Sequence, residues 1–157
     1  LEGGTRVPCI IRHPGLIPPD WESAALISAI DLLPSLAHAC GIDLQQHSQG
    51  NPIIDGLNVW PTLQDDKEAP HPRQDLLYWH GADGFQAIRK GSWKLFPNRL
   101  HAGLKGSGPA LFNLEKDLQE KLDVSMEHPV KVAALKKLAE LRLSEIEKNK
   151  IALGETK

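Results

Sequence analysis

Glu2-Gly3-Gly4-Thr5-Arg6-Val7-Pro8-Cys9-Ile10-Ile11-Arg12-His13-Pro14-Gly15 is the stretch on which the fold turns. Gly3-Gly4 lets the backbone take left-handed angles or approach another group closely. Val7, Cys9, Ile10 and Ile11 make a nearly continuous apolar run. That pattern predicts a strand covered on both faces, in a parallel or mixed sheet with helices packed on it. Pro14-Gly15 stops it. Such a strand needs neighbours, and only Leu1 precedes the turn. The expectation is therefore a chain that begins in the middle of a fold, with neither an initiator Met nor a signal peptide at its start.

Working outward, Pro18-Pro19 stiffens a loop. Asp31 before Leu32-Leu33-Pro34 reads as an N-cap, with Pro34 harmless in the first helical turn. Leu32, Leu33, Leu36 and Ala37 form an apolar stripe, and Gly41 is a natural stop, so a short helix is predicted over Leu32–Cys40. Residues 42–64 read as an extended loop tacked down by Ile53-Ile54, Leu57, Val59-Trp60 and Leu63. Residues 64–74 are polar, with Pro70 and Pro72, and read as an exposed linker. A domain boundary falls there most naturally. The predicted division is 1–66, the end of a large domain, and 67–157, a smaller one.

The second part predicts an antiparallel sheet of about four strands and one long helix. Leu76 to His80 is strand-like. Gln86 to Arg89 and Trp93 to Phe96 flank Lys90-Gly91-Ser92, a hairpin signal. Pro109 to Leu114 is the next strand. Glu115 to Asp123 alternates acidic and basic residues and reads as a surface turn or short helix. From Glu127 to about Asn149, Val132, Leu135, Ala139, Leu143 and Ile146 recur on one helical face.

Composition narrows the classes. Hydrophobic content of 41% and charged content of 24% are those of an ordinary globular chain. A net charge of -2 gives no reason to expect nucleic acid or a membrane surface as partner. No apolar run approaches the roughly 20 residues that span a bilayer. Cys9 and Cys40 are too few for a disulfide scaffold and lack zinc spacing. They are expected as two buried thiols, the alternative being one bridge formed in an oxidising compartment. No two of the histidines share the close spacing of a local metal site.

Glu2-Gly3-Gly4-x-Arg6-Val7-Pro8, an apolar run and Pro14-Gly15 together resemble the sulfatase (arylsulfatase-like) family, in the middle-to-late part of its catalytic domain. Further similar segments follow in order. They are Ile30 to Ser35, Ile54-Asp55-Gly56-Leu57, Leu77-Tyr78-Trp79, Ala87 to Leu95, and Leu111 to Leu114 with Asp117 and Glu120. The resemblance implies an α/β fold of alkaline phosphatase/sulfatase type. Residues 1–66 would be the last part of the large mixed-sheet domain, and 67–157 an α+β C-terminal subdomain. It departs from the family pattern at Leu118-Gln119, where Pro is usual after Asp, and at Ser35, where Thr is common.

The family hydrolyses sulfate esters with a formylglycine, made from Cys or Ser in Cys/Ser-x-Pro/Ala-x-Arg, beside a calcium ion. Negative charge spreads over three oxygens in the transition state, which a cation and Lys or His donors stabilise. Here Cys9 precedes Ile10-Ile11-Arg12 and Cys40 precedes Gly41-Ile42-Asp43, so neither is that motif. Asp65-Asp66 lies in the polar linker and reads as solvated. No catalytic residue and no metal ligand is expected in this chain. Calcium and formylglycine are implied for the intact enzyme, and the missing N-terminal catalytic portion is the expected partner. An isolated fragment would then be inactive.

Trp79 and His80 are the candidate substrate-binding residues. The indole could stack on a ring and the imidazole hydrogen-bond a hydroxyl of a sulfated small molecule or glycan; alternatively they are surface residues with no ligand. Arg89 and Lys94 are either anion-binding, or exposed strand residues or ion pairs holding the hairpin. Arg6 is expected to fix the Glu-Gly-Gly turn through its guanidinium, and Trp93 to anchor the small sheet. A phosphonate or phosphate monoester hydrolase of the same superfamily is the enzymatic rival. A non-catalytic structural or carbohydrate-binding remnant is the other. Family members are usually exported, whether periplasmic, extracellular or lysosomal.

Overall fold

The computed structural model describes residues 2–44, 54–64, 71–81, 84–99 and 104–150. Two compact units emerge. One joins Leu1–Cys9 to Asp75–Lys150, and the other is built on Ile10–Gln74. Residues 45–53 of the predicted 42–64 loop, residues 65–70 of the predicted linker with Asp65-Asp66, and the tail from 151 lie outside the described residues.

The first unit holds a four-stranded antiparallel sheet in the order β1-β2-β3-β4. The strands are β1 Asp75–His80, β2 Gly84–Lys90, β3 Trp93–Phe96 and β4 Ala110–Asn113. Gly91, at φ 57°, starts the two-residue turn between β2 and β3, a conformation glycine adopts without steric cost. Strand alternation sends residues to opposite faces. Leu76, Tyr78, Ala87, Phe96, Ala110 and Phe112 pack on one face with Leu114. Ile88, Leu95 and Leu111 pack on the other against Val132, Leu135 and Ala139 of the long helix α2, Pro129–Asn149. Arg142 of α2 pairs with Asp75 of β1 at 3.0 Å. Between Tyr78 and Trp79 the β1–β2 register slips, so that Tyr78 faces Ala87 while Trp79 faces Phe85. That bulge is where β1 passes from buried to exposed residues.

The four-strand sheet and its helix are as the sequence pattern predicts. The opening strand is not. Residues 6–13 carry no regular structure, and Val7 and Ile10 are largely exposed. Pro8 removes a ladder donor from the middle of the run, and among the described residues no strand pairs with it. Cys9 and Cys40 are exposed and free, not buried. Arg6 is exposed, and its backbone amide, with that of Thr5, closes the turn on the Glu2 carbonyl at 2.8 and 3.0 Å.

In the second unit the helix forms as α1, Leu32–Ala39. Gly41, at φ 69°, ends it, with the Ile42 amide donating to the Ala37 carbonyl at 2.8 Å. Its buried side keeps only Ala37 of the predicted stripe. Ser35 and Ala37 are buried, whereas Leu32, Leu33 and Leu36 are exposed. The reason is polar: Ser35 Oγ donates to the Asp31 carbonyl at 2.6 Å and accepts from the Val59 amide at 2.9 Å. Val59, Trp60 and Leu63 are buried as expected.

Asp31 is not an N-cap in the predicted sense, for it sits in helical angles and makes no side-chain cap bond to α1. Instead its carboxylate, fully buried, accepts from the amides of Ser28 and Leu57, each at 2.8 Å. Arg73 completes it, with Nε at 2.7 Å and Nη2 at 2.5 Å. Arg73 therefore belongs to a buried pair rather than to an exposed linker. Gly56 lies beside this junction. A Cβ there would stand 2.0 Å from the Ile30 carbonyl oxygen and 2.8 Å from its carbon. Backbone cannot swing aside as a side chain can, so Gly56→Ala should lose about 1–3 kcal/mol of stability. The urea midpoint falls while the slope is unchanged.

Candidate functional site

The buried charges gather on the face of the sheet opposite α2. Arg89 on β2 and Lys94 on β3 are directly paired across the strands. Lys94 is 1% exposed and lies over the rings of Tyr78 and Phe96, 4.1 and 5.1 Å from their centroids. Onto this face the chain lays Glu2, 3% exposed, at the head of the Glu2–Gly4 turn. Glu2 Oε1 accepts from Lys94 Nζ at 2.8 Å and from the Tyr78 hydroxyl at 3.1 Å. Glu2 Oε2 meets Arg89 Nη1 at 3.5 Å. From the other side Glu120 holds Lys94 at 3.0 Å and accepts the Glu2 backbone amide at 2.7 Å.

Two carboxylates and two cations thus balance within a buried cluster, which is the condition for burying charge at all. Burial pushes the Glu2 carboxyl up, but the hydrogen bond and charge of Lys94, helped by Tyr78 and Arg89, outweigh it and hold it below 4.5. Burial, then the negative charge of Glu2, pushes the Tyr78 hydroxyl up to about 12. Tyr78 is accordingly a neutral donor. Glu120 takes φ 55°, a left-handed angle unusual for a side-chain-bearing residue, at the point where it reaches this cluster.

Lys94 and Glu120 correct the sequence reading. Lys94 is in ion pairs, as one alternative had it, with Glu2 and Glu120, but it is buried rather than an exposed strand residue or an open anion site. Glu120 is buried within a run that reads as solvated. One signal was available: Lys94 is two residues from Phe96, a core residue, and so must point to the same covered face. Arg89 is in an ion pair as one alternative had it, and also donates to the Gly91 carbonyl at 2.9 Å. Trp93 is half-buried, edge-on to His128 and beneath Lys131 Nζ at 4.2 Å.

Trp79 and His80 stand adjacent in sequence and exposed beyond the bulge, whose extra residue is Gln86 of β2. The Trp79 indole is 53% exposed and rests edge-on against Phe85, with centroids 6.0 Å apart. Phe85 packs into the α2 side of the sheet, so the indole is braced from below with much of its surface open. Among the described residues, no group of three or more His, Cys, Asp or Glu side chains is placed to hold a metal ion. No helix among them is long and apolar enough to cross a membrane.

An antiparallel sheet backed by one long helix, with a glycine-rich turn pinned to its other face, is part of an α/β fold found in solved structures. One, from a Bacteroides thetaiotaomicron locus for metabolism of multiple glycosaminoglycans, is similar over 88% of this chain and 29% of its own, with TM-score 0.68 and 28% identity. The sulfatase PsFucS1 from Pseudoalteromonas sp. shares the fold, with TM-score 0.65 and 18% identity over 82% of this chain and 27% of its own. In sequence, mouse (Mus musculus) steryl-sulfatase is 32% identical over 80% of this chain and 23% of its own length. No family model matches. The chain belongs to the sulfatase family, of alkaline phosphatase-like fold. It spans about a quarter of the length of the curated relatives it matches.

Proposed function

We propose that this chain is the C-terminal portion of a sulfatase that hydrolyses sulfate esters of aryl or carbohydrate compounds, and that Trp79 and His80 form part of its substrate-facing rim. In that proposal residues 1–66 close the catalytic domain, residues 67–157 are the C-terminal subdomain, and the whole enzyme is exported. The observation that carries the rim assignment is the bulge after Tyr78. Past it Trp79 and His80 are both exposed, on opposite faces of the strand with the indole against Phe85, while Tyr78 next to them stays buried. Steryl and glycosaminoglycan compounds, named for two of the similar proteins, both offer rings on which an indole can lie.

The family's formylglycine and calcium find no fit among the described residues. Neither cysteine stands in the modification motif, and among the described residues no three His, Cys, Asp or Glu side chains come together to hold a metal ion. The contribution assigned to these residues is therefore binding and orientation, and no chemical step is drawn through either group. In the intact enzyme carrying this segment, Trp79→Ala should raise KM for a ring-bearing sulfated glycan about three- to tenfold, the worth of one aromatic contact, with kcat little changed. An unchanged KM on both aryl and glycan sulfates would remove Trp79 from the rim. The isolated chain should hydrolyse neither substrate.

A further inference from the structure

We propose that Arg89, Lys94 and Tyr78 form a carboxylate-binding seat on the face of the sheet opposite α2, and that Glu2 is its resident ligand. The site does not depend on the sulfatase proposal, since it lies within one unit of this chain. Three lines converge on it. Arg89 and Lys94 are opposite each other in the β2–β3 ladder, an arrangement of like charges that is unfavourable unless an anion stands between them. Lys94, capped by aromatic rings and 1% exposed, cannot turn its charge to water. Donors from three different strands, Tyr78 on β1, Arg89 on β2 and Lys94 on β3, meet at the two oxygens of one carboxylate.

The turn that brings this carboxylate has little other hold on the sheet. Gly3, Gly4 and Thr5 are exposed, and a Cβ at either glycine would touch nothing within 4 Å. Besides its side chain, Glu2 is held by its amide hydrogen bond to Glu120. Glu120 also shares Lys94, so the seat supplies one positive charge beyond those Glu120 neutralises. The chemistry recognised is a small planar monocarboxylate presented edge-on to a guanidinium, an ammonium and a phenol.

If the seat recognises a carboxylate rather than the chain that carries it, the side chain can be removed and replaced from solution. Glu2→Ala should melt roughly 6 to 12 °C below the parent, as expected for a chain this size losing one partner of a buried ion pair. Sodium acetate should recover part of that loss with a saturable dependence, while sodium chloride at equal ionic strength should not. Lys94→Met in the Glu2→Ala background should abolish the acetate response. A folded Glu2→Ala chain on which acetate acts no differently from chloride overturns the proposal. If Glu2→Ala does not fold, Glu2→Gln decides, since the amide fills the same space without the charge. Melting within 2 °C of the parent overturns the seat; a larger drop, or failure to fold where Glu2→Asp folds, supports it.

Discussion

Lys94→Met lowers the free energy of unfolding by about 3–5 kcal/mol, the cost of stranding buried charge by removing one partner. Methionine matches the lysine stem and keeps its packing against Tyr78 and Phe96, so the loss reports charge rather than volume. What is left behind is Glu2 and Glu120 facing the vacated ammonium position, with Arg89 the remaining cation near Glu2 at 3.5 Å. Lys94→Arg does not rescue it, because a planar fork does not fit a position built for a compact ammonium between two carboxylates.

The pH dependence carries the same signature with a definite sign. The Glu2 carboxyl lies below 4.5 in the folded chain, so its contribution is present above the unfolded value and is lost as pH falls through the folded one. In Lys94→Met the lowering influence of Lys94 is gone and burial dominates, so protonation relieves the site. Urea midpoints of parent and variant should therefore converge as pH is lowered below the ordinary glutamate value. A gap that stays constant across that range would show that Lys94 acts through packing alone.

Asp31→Ala should cost a comparable amount, about 3–5 kcal/mol, in the other unit. Its carboxylate gathers four donors from three places in the chain: the Ser28 amide, the Leu57 amide and both ends of the Arg73 fork. Alanine leaves two amides without their acceptor and a guanidinium, 11% exposed, without its counter-charge. Asp31→Asn keeps the shape and should lose less. Arg73→Ala should be strongly coupled to Asp31→Ala, the double variant costing clearly less than the two singles together. Strict additivity in urea unfolding would mean that the two residues stabilise the unit separately. Burial raises the Asp31 carboxyl, but Arg73 and the two amides outweigh it and hold it below 3.8. Its share of stability is thus also present at neutral pH and lost in acid.

The parts legible from sequence are those in which local pattern and tertiary position agree. Lys90-Gly91-Ser92 between two apolar strands forms the turn it suggests, and Val132, Leu135 and Ala139 face the sheet at helical spacing. The helix stripe fades by Ile146, which is 43% exposed. The two charge clusters were not legible, for a physical reason. Lys94 meets a glutamate 92 positions away, and a lysine in a strand reads as solvent-facing until that partner is known. Asp31 carries the residue type of a cap at the position of a cap, yet its acceptors serve Leu57 and Arg73, 26 and 42 positions on. Short-range preference for α1 was likewise overridden, because the Ser35 hydroxyl satisfies two backbone groups and turns that side inward. Trp79 and His80 were singled out in sequence as candidate rim residues; the bulge that presents them was not, since a register slip depends on the partner strand.

That bulge separates what can change in β1 from what cannot. Up to Tyr78 the strand is committed on both faces, to the Glu2 cluster on one side and to α2 on the other. One step later the pairing has slipped and the side chains stand in solvent. Exposed positions 79 and 80 therefore carry less of the core than Tyr78 does, so descendants of such a chain can vary there while the strand beneath them stays the same.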